Sequence, residues 1–210
     1  SPDMSYIRDA IDNSKIYFKN GHILSLESTT YPGTTNDFFV KTLKKEKFIV
    51  GSDIHLIYSP EREDPGNKYF HIKNTTKIVA GYSKQCMLIG KELYKKISKN
   101  IHTTSSINIA ETTKLFENVY RSVNISLVNE LKILCDKMDI DVFEVIKAAK
   151  TKPFGFNAFY PGPGVGGHCI PVDPFLLSWK VKKFGLNADF IELSGRVNEK
   201  MPFFVFKKNK

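Results

Sequence analysis

The residue best placed to do chemistry in this sequence is a cysteine set among glycines. Tyr160 to Asp173 reads Tyr-Pro-Gly-Pro-Gly-Val-Gly-Gly-His-Cys-Ile-Pro-Val-Asp. Proline lacks the N–H that helices and sheets need, and glycine without a Cβ lets backbone amides approach a ligand closely. The stretch is therefore a shaped loop, and Cys169 sits where a thiol can meet a bound molecule. The same residues also fit a rigid connector with a packed cysteine, because free Cys often behaves as a small buried hydrophobe. Asp173 precedes Pro174 in a helix-opening pattern, so it either acts beside Cys169 or only caps a helix. Lys114 and Asn118 share a helix face by their spacing, as a functional pair or as a solvated one. Thr29 and Glu61 fall in polar clusters after predicted strands, where open α/β sheets collect ligands.

The elements that must position these groups alternate. A helix is predicted over Ser5–Phe18, with Tyr6, Ala10, Ile11 and Phe18 near one face and Gly21 as its stop. A short strand follows in His22–Ser28, then a helix capped by Thr34 or Thr35 with Phe38, Phe39 and Leu43 on its apolar side. Further strands are predicted at His55–Tyr58 and Lys77–Ala80, and a helix from Ser83 to Ile97. Strands separated by helices predict a parallel sheet with crossover helices. With no G-x-G-x-x-G, a dinucleotide-binding unit here would be only the second half of one.

After Thr103 the pattern changes, and the chain divides at 103/104. From Ile107 to Met138 apolar residues recur at helical intervals (Leu115, Phe116, Val119, Tyr120, Val123, Leu127, Leu131, Leu134), which predicts one long helix at a domain junction or subunit interface. Asp141 to Glu144 reads as a capping box for a helix ending near Lys150. A helix from Asp173 to Gly185 and another from about Asn187 toward Met201 complete an all-α second region.

Composition narrows the classes. The 210 residues are 41% hydrophobic and 25% charged, ordinary for a globular protein. No apolar run reaches the roughly 18 residues of a membrane span, and the start does not read as a signal peptide, so a cytoplasmic location is expected. Cys86, Cys135 and Cys169 are too widely spaced for a disulfide framework or a zinc site, and no metal is expected. The net charge is +9, but only Arg8, Arg62, Arg121 and Arg196 among the 31 basic residues are arginines. A dispersed lysine surplus reads as solvated surface, not as a nucleic-acid interface.

Four motifs in order resemble the UDP-glucose/GDP-mannose dehydrogenase family: Glu27-Ser28-Thr29-Thr30-Tyr31-Pro32-Gly33-Thr34-Thr35, Ser59-Pro60-Glu61-Arg62, Glu111 to Asn118, and Gly166-Gly167-His168-Cys169-Ile170-Pro171-Val172-Asp173-Pro174. Lys152 to Phe156 and Tyr160 to Gly164 are most similar to the branch acting on UDP-N-acetylhexosamines, above all UDP-N-acetylglucosamine. The resemblance implies a partial Rossmann-like parallel sheet, residues 1–103, followed by an all-α central dimerisation domain, residues 104–210. It implies NAD-dependent oxidation of a UDP-sugar C6 alcohol to the uronic acid, in the making of surface polysaccharide precursors, by a homodimer or by a chain that complements the missing domains.

On the same resemblance, Cys169 is the nucleophile, Lys114 polarises the C6 oxygen and Asn118 helps to hold it. Asp173 and Glu61 serve the hydrolytic step, and Thr29 lies at the NAD. Arg62, Tyr160, Gly162 and Gly166 join Lys114 and Asn118 around the substrate. Family members carry a glycine-rich NAD turn before the part matching Ser1 and a UDP-binding domain after the part matching Lys210. The resemblance therefore also implies that the 210-residue chain is inactive, or nearly so, by itself.

Overall fold

The computed structural model describes residues 2–64, 66–167 and 169–208. The chain forms two compact units, Ser1–Leu115 and Phe116–Lys210.

The first unit is built on a four-stranded sheet in the order β1-β2-β3-β4: His22–Leu26, Ile54–Tyr58, Lys77–Gly81 and Ile101–Thr103. β1 and β2 are parallel in register from His22↔Ile54 to Leu26↔Tyr58, and β3 and β4 are parallel. The β2–β3 pair is antiparallel, so the sheet is mixed where an all-parallel one was expected. The reason lies in residues 59–76, whose described residues contain no helix. A parallel pair needs a crossover that carries the chain back across the sheet, and a connection of turns returns it on the same edge instead. β4 gave no sequence signal because it is only three residues long.

Alternation along β3 sends residues to opposite faces. Ile78 and Ala80 join Leu26, Tyr58, Ile107 and Ala110 in one cluster, against which Ile7 of α1 (Ser5–Ser14) and Phe39 pack. Val79 joins Ile57 and Tyr94 on the other face, where α3 (Lys84–Tyr94) lies. Each fully buried side chain of the Leu56 and Ile57 kind contributes roughly 1.5–3 kcal/mol. On α1 the inward residues are Ile7 and Ile11; Tyr6 is 80% exposed and Ala10 also faces out, contrary to the predicted face. Ser83 caps α3 by accepting from the Cys86 N–H at 3.2 Å. Gly81 is required before that helix, since a Cβ there would lie 2.1 Å from the Met87 nitrogen.

Neither Thr34 nor Thr35 caps the second helical stretch, which is a π-helical turn over Asn36–Val40 followed by α2, Lys41–Lys45. The Thr34 hydroxyl donates back to the Tyr31 carbonyl at 2.6 Å. The cap comes from far along the chain. The buried carboxylate of Glu111 accepts from the Gly33 N–H at 2.6 Å, the Thr35 N–H at 2.9 Å and the Thr35 hydroxyl at 2.7 Å. An anion at free N-terminal amides satisfies both hydrogen bonding and the helix dipole.

Helix α4, Ile107–Lys137, has 31 residues and continues into the second unit. There Val128 and Cys135 pack against Val142 and Ile146 of α5, Val142–Ala149, which Asp141 caps by accepting from the Phe143 N–H at 2.8 Å. α6 spans Cys169–Lys182 and α7 spans Asp189–Lys208. These two pack closely at Gly195, where a Cβ would stand 2.5 Å from Cζ of Phe175.

Candidate active site

In the first unit, three of the sequence-derived candidates lie along one edge of the sheet. β1 and β2 run parallel, so both end at the same edge, and the pairing continues beyond them: the Glu61 N–H donates to the Glu27 carbonyl at 3.2 Å. Thr29 is partly exposed there. Glu61 turns back on its own segment, Oε1 accepting from the amides of Arg62 at 2.7 Å and Glu63 at 2.8 Å. Its Oε2 lies 3.1 Å from Nζ of Lys77. Burial by itself raises the carboxyl pKa, but the Glu63 amide, the Lys77 ammonium and the Arg62 amide together hold it below the ordinary value. Arg62 is anchored beside it, Nη1 donating to the Thr76 carbonyl at 2.7 Å.

Lys114 is half-buried on α4, one turn before Asn118. In the second unit Nδ2 of Asn118 donates to Oδ2 of Asp173 at 2.7 Å, with both residues buried. Asp173 was expected to open a helix at its own position, either only as its cap or acting beside Cys169. α6 instead begins at Cys169, so Asp173 sits one turn inside it and its carboxylate is turned to α4. Pro171 fits the early start, because proline is tolerated in a first turn whose N–H groups have no intrahelical partner, whereas Pro174 lies inside the helix. Cys169 is exposed, the first residue of α6, and shares a helix face with Asp173 through their four-residue spacing. His168, also part of the motif, lies outside the described residues.

The loop before Cys169 is held from beneath. The Gly162 N–H donates to Oδ1 of Asn129 at 2.9 Å, while Nδ2 of Asn129 donates to Oδ1 of Asn198 on α7 at 2.9 Å. Pro202 has no N–H to offer the Asn198 carbonyl, and Gly164, at φ 126°, comes close to that oxygen; a Cβ on Gly164 would lie 3.3 Å from it. A cavity of about 190 Å³ remains behind the loop, lined by Gly164, Ile170, Phe175, Gly195, Asn198 and Pro202 among others. Tyr160 and Gly166 are exposed on the loop surface.

Asn129 and Glu111 were not singled out as site residues from the sequence. A signal for Asn129 was present: Asn118, Ser122 and Asn129 recur at helical spacing inside an apolar pattern, and all three are buried. A polar stripe on the inward face of a helix requires partners, and each residue finds one. Among the described residues no group of three or more His, Cys, Asp or Glu side chains is placed to hold a metal ion, and no helix is long and apolar enough to cross a membrane.

Thr29 and Thr30 are the groups that this edge of the first unit would offer a dinucleotide. Thr29 is accessible at the strand edge, and Oγ1 of the adjacent Thr30 is buried without a hydrogen-bond partner among the described residues. An accessible hydroxyl beside a buried one that lacks a partner fits such a cofactor.

The chain is 42% identical over 185 residues to Protein CapL of Staphylococcus aureus, which covers 87% of this chain and 43% of the relative. It is 37% identical over 206 residues to a UDP-N-acetyl-D-glucosamine 6-dehydrogenase of Pseudomonas aeruginosa, covering 97% of this chain and 48% of the relative. The solved UDP-D-ManNAc dehydrogenase from Pyrococcus horikoshii superposes with a TM-score of 0.91 at 33% identity, over 99% of this chain and 49% of that one. The chain thus spans about half the length of the relatives it matches. Residues 1–98 match the NAD binding domain of the UDP-glucose/GDP-mannose dehydrogenase family and residues 108–200 its central domain, and the chain belongs to that family.

Proposed function

We propose that this chain carries the catalytic residues of an NAD-dependent nucleotide-sugar 6-dehydrogenase that converts the C6 alcohol of a UDP-N-acetylhexosamine to the uronic acid, a precursor for surface polysaccharide. The observation that carries this reading is the buried Asn118–Asp173 hydrogen bond one helical turn from the exposed Cys169. UDP-N-acetylglucosamine is the favoured substrate on the Pseudomonas aeruginosa relative, with UDP-N-acetylmannosamine the alternative on the Pyrococcus horikoshii one. The division of labour falls near residue 103, cofactor groups before it and the helical catalytic groups after it.

Bound at the Thr29 edge, NAD+ supplies the hydride acceptor for both oxidation steps. The Cys169 thiolate adds to C6 of the aldehyde and the carbonyl oxygen becomes a thiohemiacetal oxygen, which Lys114 and Asn118 stabilise by charge and hydrogen bonding. Oxidation of that adduct leaves a thioester on Sγ. Water then attacks the thioester carbon, positioned by Asp173 and Glu61, and the carboxylate leaves as the sulfur regains its thiolate. A thiolate suits both halves of this sequence, being a strong nucleophile and a good leaving group. Arg62, Tyr160, Gly162 and Gly166 cradle the sugar nucleotide.

A second reading is that the chain acts as a dimerising fragment without turnover. It draws on Phe116, Tyr120, Leu127 and Leu134, which are 42–64% exposed and recur along one side of α4. Such an exposed apolar stripe fits a second copy of the same helix. The test is NADH formation from each UDP-N-acetylhexosamine by the purified chain, with Cys169→Ser as control, beside sedimentation of the same samples. Cys169-dependent turnover supports the enzyme reading. Self-association without turnover or NAD binding favours the fragment.

A further inference from the structure

Among the described ion pairs Lys77 is the least exposed lysine side chain, at 3%, and it lies between two carboxylates. Its Nζ is 3.4 Å from Oε2 of Glu27, just after β1, and 3.1 Å from Oε2 of Glu61, just after β2. The other Glu27 oxygen accepts from the Tyr94 hydroxyl of α3, whose oxygen is 2.6 Å from Oγ of Ser25. Burial first, and then the Glu27 hydrogen bond, push the Tyr94 phenol well above its ordinary pKa, so it remains a donor. The ammonium also stands 5.4 Å from the centre of the Tyr94 ring. A cation this deep is costly to bury without partners of opposite charge. Here it has two, reached from different elements.

We propose that Lys77 is a positioning residue for Glu61, the cation that holds its carboxylate turned and ionised at the carboxyl edge of β1 and β2. A carboxylate has roughly four acceptor directions. The amides of Arg62 and Glu63 and the Lys77 ammonium occupy three of them. One direction is left on a side chain that is 47% exposed. Glu61 is therefore a fixed acceptor that can orient one water or one substrate hydroxyl, and it does not act as a proton donor. That role rests on the reading of Glu61 in the hydrolytic step given above. Glu27, whose own charge is shared with Lys77, sets how much of the ammonium Glu61 receives.

The charged and titratable groups around the Glu61 carboxylate are Lys77 from β3, Glu27 after β1, Tyr94 from α3, and Arg62 and Glu63 from its own segment. Carboxyl-carbon NMR titration of the glutamates in the 210-residue chain, with no substrate or cofactor added, reads the coupling directly. The Glu61 midpoint is expected to rise by about one pH unit or more in Lys77→Met, and to stay low in Lys77→Arg. In Glu27→Gln, which spares the buried cation, it is expected to fall further, because Lys77 then serves Glu61 alone. Should Lys77→Met not fold, the Glu27→Gln shift decides. A Glu61 midpoint that is the same in every folded variant overturns the proposal. Loss of the dehydrogenase reading in the NADH assay would leave this coupling measurable, so the two failures are distinguishable.

Discussion

Asn118 on α4 and Asp173 on α6 are joined by a 2.7 Å hydrogen bond between two buried side chains 55 residues apart. The bond ties α6 to α4, and Cys169 is one turn from the bonded residue on α6. Replacing Asn118 by Leu withdraws a donor from a buried carboxylate, at a cost of about 1–3 kcal/mol. The urea midpoint is expected to fall accordingly. Asp173→Asn, which keeps the shape, is expected to cost less. Equal losses in the two variants would mean that packing, not the charge-assisted bond, holds α6.

Glu111 stands in for the local cap that the Thr34–Thr35 segment lacks. Glu111→Ala removes an acceptor from two backbone amides and a hydroxyl at once. The expected loss is about 3 kcal/mol, in the range of a broken buried network. Denaturant unfolding of the chain measures it. Hydrogen exchange of the Gly33 and Thr35 amides, faster in the variant, locates it.

Glu61 makes stability depend on acid in one direction. Its folded pKa lies below the ordinary 4.5, so its contribution is fully present above that value and is lost as pH falls through the folded pKa. Thermal midpoints measured from neutral pH downward are expected to drop below about pH 4.5 for this reason. Glu61→Gln is expected to be less stable than wild type near neutrality and to have a shallower acid limb. An unchanged slope would assign the acid sensitivity to other carboxylates.

Gly195 and Phe175 form a size-matched pair. A methyl at 195 would meet the Phe175 ring at 2.5 Å, so Gly195→Ala is expected to cost about 1–3 kcal/mol through overpacking of α6 on α7. In a Phe175→Leu background the same substitution is expected to cost much less. A double-mutant cycle on unfolding free energies checks this, and additivity would show that the ring is not what Gly195 accommodates.

The elements with strong local signals were legible in advance. Short apolar runs announced β1 and β2, the 3.6-residue period announced α4, and Asp141 announced its helix by capping chemistry. Where reading failed, a distant group had overruled a local one. Thr34 and Thr35 looked like caps because their hydroxyls are the usual acceptors, yet Glu111, 78 residues after Gly33, supplies a stronger anionic one. Asp173 looked like a cap because Asp-Pro opens many helices, yet its carboxylate gains a buried partner in Asn118 if the helix starts a turn earlier.

By itself the sequence determined the chemistry on offer: a cysteine in a glycine-rich loop, a lysine and an asparagine one turn apart, and carboxylates near strand and helix ends, in an order specific to one family. Tertiary structure alone decided which polar groups answer one another. Asn118 holds Asp173, Asn129 holds the Gly162 loop, and Lys77 stands between Glu27 and Glu61. The physical reason is that a buried polar or charged group must find a partner wherever folding brings one. Residues 16 to 55 positions apart, brought together by folding, leave no periodic trace in the chain by which those pairings could be read beforehand.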